Sequence, residues 1–263
     1  MMAAPGVRRD KLAVFILLLI VGALAWAYTA QQAREMDAME AAMWRDMNMS
    51  MNGMDPSWTA SDVVLMFAMW SAMMAAMMVP GSAPVVGAFA AINRSRHERG
   101  ATYVPTVIFL AGYLAVWTAF SALAVLLQWA LQMSGLLTTM MQSGSLWLSA
   151  ALFAAAGLYQ FSPLKERCLN YCRSPDGFIL SEWRDGSLGA FVMGARHGLF
   201  CLGCCAALML LLFAVAVMDL RWVAALTILV TAEKLLPGGR FWRFALGAAL
   251  LVAAAAFALS ALT

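Results

Sequence analysis

Residues 61–79 read SDVVLMFAMWSAMMAAMMV, an apolar run broken by a single charge at Asp62. About 20 such residues cross the hydrocarbon core of a bilayer as a helix, so this stretch predicts a membrane span. Working outward, the same texture recurs at 12–30, 104–127, 146–161, 188–217, 222–236 and 241–262. The pattern predicts an all-α, polytopic membrane protein of about seven transmembrane helices, with the lipid bilayer as its main partner. The whole chain agrees: of its 263 residues 63% are hydrophobic and 12% charged, with a mean hydropathy of +0.79, far from a soluble domain. A net charge of +3, scattered over short loops, forms no stripe for nucleic acid and excludes that function.

The basic residues set the expected orientation. Arg8, Arg9, Lys11, Arg94, Arg96, Arg99, Lys165, Arg167, Arg173, Arg184, Lys234, Arg240 and Arg243 fall on one side of the seven spans, with Arg196 just inside the fifth span near that side, and only Arg34, Arg45 and Arg221 on the other. By the positive-inside rule the N-terminus is cytoplasmic and the C-terminus outside. The stretch at 12–30 follows basic residues as a signal peptide would, but it is too long for a typical signal core and reads as an uncleaved anchor. The expected organisation is an anchor span in 1–30, a Met-rich extracytoplasmic loop in 31–60, and a helical membrane domain in 61–263 with a cytoplasmic loop at 162–187. Pro80 and Pro84 are expected at the inner end of the second span, where a freed carbonyl is tolerable.

Three groups of residues carry recognisable chemistry. On the second span Asp62, Met66, Met69, Met73 and Met77 share one helix face, within a sector of about 80°. Thioethers suit Cu(I) and bring no charge into hydrocarbon, whereas the competing reading takes methionine as an adaptable gap-filler. Met74 and Met78 point elsewhere and read as packing. On the fifth span the string HGLFCLGCC places His197, Cys201, Cys204 and Cys205 on one side, the nitrogen and sulfur donors that zinc and copper take. Free cysteine also behaves as a small buried hydrophobe, but four such residues on one face make coincidence the poorer account. Met73 and His197 fall at similar depth and are candidates to face one another.

The third group lies in the loops. Cys168 and Cys172 form a C-x-x-x-C pair in the cytoplasmic loop, where helical spacing brings both sulfurs to one side. A reducing compartment argues against a structural disulfide and leaves a secondary metal site, a redox role or no role. In the outer loop Met36, Met39 and Met43 recur at helical spacing, and Met47, Met49, Met51 and Met54 follow in an irregular run suited to capturing Cu(I) or to lying on a membrane or partner surface. Glu233 and Lys234, near the inner end of the sixth span, read as interfacial charges. No hydrolase triad or phosphate loop is visible, and two histidines supply no paired axial ligands for a b-type haem.

The strings WSAMMAAMMVP at 70–80, GYLAVW at 112–117, GLYQFSPLKERCLNYCRSP at 157–175 and HGLFCLGCCAALM at 197–209, in this order, resemble a family of uncharacterised bacterial proteins described as predicted metal-binding integral membrane proteins. The likeness runs from about residue 58 to 238. It implies a metal, a multi-pass position in the bacterial cytoplasmic (inner) membrane, and a place for Cys168 and Cys172 inside a family motif, but no reaction. The leading expectation is a copper-handling membrane protein in which the outer methionines capture Cu(I), the second-span stripe passes it inward and the His/Cys group holds it. A copper-dependent membrane oxidoreductase and an accessory or assembly subunit of a larger membrane complex are the alternatives. Zinc is the alternative metal.

Overall fold

The computed structural model describes residues 5–45, 58–137, 143–215, 217, 219–236 and 239–262. Apart from one isolated bridge between Leu137 and Ser143, the described residues carry no β pairing. The helices are α1 (Pro5–Arg45), α2 (Ala60–His97), α3 (Thr106–Met133), α4 (Leu146–Gln160), α5 (Pro163–Arg173), α6 (Pro175–Ser181), α7 (Gly186–Met209), α8 (Leu212–Val215), α9 (Leu220–Leu235) and α10 (Gly239–Ser260). Helix α1 lies along α2, α2 along α3, α3 along α7 and α4 along α10, while α5 packs on α7.

Among the described residues, five helical segments are long and apolar enough to cross a membrane: Val14–Ala38, Ala60–His97, Thr106–Met133, Gly186–Val215 and Arg240–Ser260. Two of the seven expected spans are shorter. Helix α4 has 15 residues and α9 has 16, about 22–24 Å at 1.5 Å per residue against a hydrocarbon core of about 30 Å. The surface is apolar and part of the interior polar. Leu19, Leu24, Val64, Leu123, Leu188 and Val252 are exposed while Ser82, Asn93, Gln128, Lys165 and His197 are buried, the arrangement suited to a lipid solvent.

Two sequence expectations change. Helix α2 does not end at Pro80 but continues through Pro80 and Pro84 to His97, some 57 Å in all. Pro80 cannot donate to the Ala76 carbonyl one turn back, and the Trp26 indole N–H of α1 donates to that carbonyl instead, at 3.1 Å. Tyr113 of α3 donates to the Met78 carbonyl nearby, at 3.1 Å. With the carbonyl that Pro80 frees met by a neighbouring helix, the chain continues as helix past it. Second, residues 31–45 continue α1 as helix, while Met47, Met49, Met51 and Met54 lie outside the described residues.

The seam between α3 and α7 depends on missing side chains. A Cβ on Gly112 would stand 2.1 Å from the Phe191 carbonyl oxygen, and one on Gly194 would stand 1.9 Å from that of Phe109. The two backbones touch, as small residues permit between membrane helices. This contact fixes the rotation of α7 and so the direction in which its cysteines point.

Helix α5 is polar on average yet docked. It buries Lys165, Cys168, Leu169 and Cys172, positions i, i+3, i+4 and i+7 of one face. Lys165 Nζ donates to both carboxylate oxygens of Glu233 on α9, at 2.8 and 3.1 Å. Arg173, at the other end of α5, donates to the backbone carbonyls of Glu233 and Leu236, which the end of α9 leaves without helical partners. On the flank, Glu166 pairs with Arg243 at 3.1 Å and Arg240 at 3.4 Å, and the Arg243 hydrogen bond holds its carboxyl below the usual carboxylate range. Glu233 and Lys234 are therefore both buried within the helical packing.

Two outcomes follow from these contacts. Gly194→Ala is expected to destabilise the detergent-solubilised protein by about 1–3 kcal/mol through overpacking, whereas Gly87→Ala, which meets open space, leaves thermal unfolding unchanged. Equal melting of the two variants would dissolve the argument for the seam. Glu233→Gln strands a buried ammonium and should cost about 3–5 kcal/mol, while the Lys165→Met/Glu233→Leu double variant regains most of that loss. A double variant as unstable as the single one would show that the pair is not what docks α5.

Candidate metal site

The buried face of α7 carries His197, Cys201, Cys204 and Cys205. The last three bring their sulfurs within 4.8 Å of one another, and Cys201 Sγ lies 4.0 Å from Cys205 Sγ. The Cys204 and Cys205 thiols donate back to the Cys201 carbonyl at 3.0 and 2.7 Å, the local bonding by which short polar side chains settle inside a helix. No described cysteine is in a disulfide.

Other elements close on this cluster. From α2, Met78 Sδ lies 3.8 Å from Cys205 Sγ. From α3, the Tyr113 hydroxyl lies 3.1 Å from Cys201 Sγ. From α9, Lys234 Nζ reaches Cys201 Sγ at 3.0 Å, passing over Gly81, where a Cβ would stand 3.2 Å from Lys234 Cδ and Nζ. Such an ammonium is a local counter-charge for a thiolate, which a low-dielectric interior otherwise penalises.

The α5 cysteines belong to the same neighbourhood. Cys168 Sγ sits against the Gly203 backbone, 2.6 Å from where a Cβ would stand. Cys172 is buried one turn along the same face of α5, which packs on α7. Burial pushes the Cys168 thiol above its ordinary value. Cys172 is raised well above its own, first by the neighbouring sulfurs of Cys201 and Cys204 and then by burial. Near neutral pH both are thiols, so a metal that takes them must displace protons.

His197 stands one turn from Cys201. Its ring lies 5.4 Å from Tyr113, stacked, 5.4 Å from Phe178 and 6.4 Å from Phe109. Aromatic rings of α3 and α6 are thus its ring neighbours. Its Nδ1 is buried without a hydrogen-bond partner, an orphan polar atom beside a sulfur cluster.

The thioether stripe divides. Met69, Met73 and Met77 are buried in the core, Met66 Sδ accepts from Gln128 Nε2 at 3.7 Å, and Gln128 also accepts from Trp70 at 2.8 Å. Asp62 is exposed and closes a capping box with Thr59 at the start of α2, which gives its carboxylate a structural task. Sequence reasoning passed over Met78 and Lys234. A continuous α2 turns Met78 toward α7, and a lysine in an apolar stretch is itself a signal of a buried partner.

Neither a curated protein nor a solved structure matches this sequence. A profile of the family described as PpoB2, copper chaperone, matches residues 67–257, a span that holds all five cysteines, Met78 and Lys234 and excludes the methionines at 47–54. The chain belongs to the PpoB2 copper-chaperone family.

Proposed function

We propose that this chain is a multi-pass protein of the bacterial cytoplasmic membrane that binds Cu(I) as cargo in its helical bundle and hands it on to a copper-requiring partner. The observation that carries the reading is the convergence of Cys201, Cys204 and Cys205 within 4.8 Å, with Met78 Sδ at 3.8 Å from Cys205. Thiolate and thioether together are a soft donor set, which favours Cu(I) over harder ions. Zinc takes thiolates and imidazole, but thioether sulfur adds little for it. His197 is the fifth protein donor proposed, and its unpartnered Nδ1 is the atom available. Met66, Met69, Met73 and Met77 are the weak sites by which the ion reaches the cluster, and Met47, Met49, Met51 and Met54 the capture sites outside.

In this reading α4 and α9 join the five longer helices as short spans, giving seven crossings. The N-terminus and the α5–α6 side are cytoplasmic and the C-terminus lies outside, as the basic residues favour. Arg196 fits this placement through its ion pair with Glu182 on the α6 side, at 2.6 Å.

Elemental analysis of protein purified without chelator is expected to find about one copper per chain in the wild type. In Cys201→Ser/Cys205→Ser that copper is lost while the protein still inserts. Zinc in place of copper would move the site to the other metal, and full copper in the variant would remove α7 as its holder. Replacing Met47, Met49, Met51 and Met54 by leucine should slow loading by dilute Cu(I) without changing final occupancy. A lowered final occupancy would make that segment itself the storage site.

A further inference from the structure

We propose that Cys168 and Cys172 of α5 form a transfer station that takes Cu(I) from the α7 thiols and presents it to an aqueous acceptor. This rests on the copper reading above and adds the route by which cargo leaves the bundle. Both sulfurs lie on the face of α5 turned to α7, with Lys165 and Leu169. The opposite face, with Arg167, Asn170 and Tyr171, is exposed, so α5 is a helix with one side in the bundle and the other at the surface.

The sulfurs form a graded series. Cys201, Cys204 and Cys205 are 0–1% exposed, Cys172 is 5% and Cys168 is 8%. Cys172 lies one turn from Cys168 on the same buried face of α5, the helix that packs on α7, and Cys168 Sγ lies against Gly203, the residue before Cys204. An ion moving outward on this route passes from the α7 sulfurs to those of α5 across the packed α5–α7 contact. Each exchange breaks one Cu–S bond and forms another. Copper stays in the +1 state, and the proton of the incoming thiol passes to the departing thiolate, so no oxidant or reductant is required.

The attachment of α5 keeps this series in register. Lys165–Glu233 and the Arg173 hydrogen bonds bind α5 to the end of α9, whose next residue, Lys234, touches Cys201. One helix end thus positions both the inner sulfurs and the outer pair. Gly203 is part of the device, since any side chain there would displace Cys168 Sγ.

The test uses the full chain in detergent, loaded anaerobically with one equivalent of Cu(I) and mixed with the water-soluble chelator bathocuproine disulfonate. Cys168→Ser/Cys172→Ser should keep about one copper yet release it roughly tenfold or more slowly than the wild type. Gly203→Ala, which keeps both thiols but displaces one, should slow release in the same direction. Release at the wild-type rate in the double serine variant would overturn the proposal. So would loss of bound copper from that variant, which would make the α5 thiols part of the holding site. Failure of the wild type itself to bind Cu(I) would instead overturn the copper reading from which this one departs.

Discussion

Glu233 and Lys234 are neighbours at the end of α9, both charged and both buried, in surroundings where an unpaired charge is among the costliest features a fold can carry. Their opposite directions organise that end of the molecule. Glu233 turns to Lys165 and draws α5 onto the bundle, while Lys234 turns to Cys201. Because each charge must be met, the positions of α5, α7 and α9 are mutually constrained. A helix as polar as α5 gains little from burying its few apolar residues, so its docking rests on this pairing and on Arg173 at the α9 carbonyls.

The second constraint is absence of side chains. Gly112 and Gly194 allow α3 and α7 to meet backbone to backbone, and this brings Tyr113 over both His197 and Cys201. Nearby, Trp26 and Tyr113 take up carbonyls of the proline-bearing stretch of α2, so α2 keeps its course and delivers Met78 to Cys205. The sulfur neighbourhood thus lies beside a stretch of α2 whose Ala76 carbonyl, freed by Pro80, is met by the Trp26 indole of α1.

What is legible in the chain follows the range of each interaction. The helical class and the shared face of His197, Cys201, Cys204 and Cys205 are read from local periodicity, which a single helix enforces. The course of α2 beyond Pro80 is not legible, because the partner that excuses the proline is Trp26, fifty residues away. Lys234 reads as an interfacial charge while its span is considered alone, and its burial depends on a cysteine 33 residues earlier. The return of α5 is hidden for the same reason. Its spacing shows that Cys168 and Cys172 share a face, but not that α7 lies against it. The strength of Asp62 as a ligand in the sequence came from its place on the methionine face, and Thr59, three residues earlier, already supplies a capping partner.

The arrangement also bears on how tightly cargo is held. A dry site of thiolates binds soft metal strongly, and strength by itself opposes handover. In the copper site proposed above the donors would include a thioether from Met78 and thiols already engaged with the Cys201 carbonyl, so the set would mix weak ligands with hydrogen-bonded ones that regain partners when the ion departs. The Lys234 ammonium beside Cys201 works in the same direction, because it gives a thiolate without metal an internal counter-charge. The state left after release is thereby kept from becoming a bare buried anion, and that difference separates a carrier of metal from a trap for it.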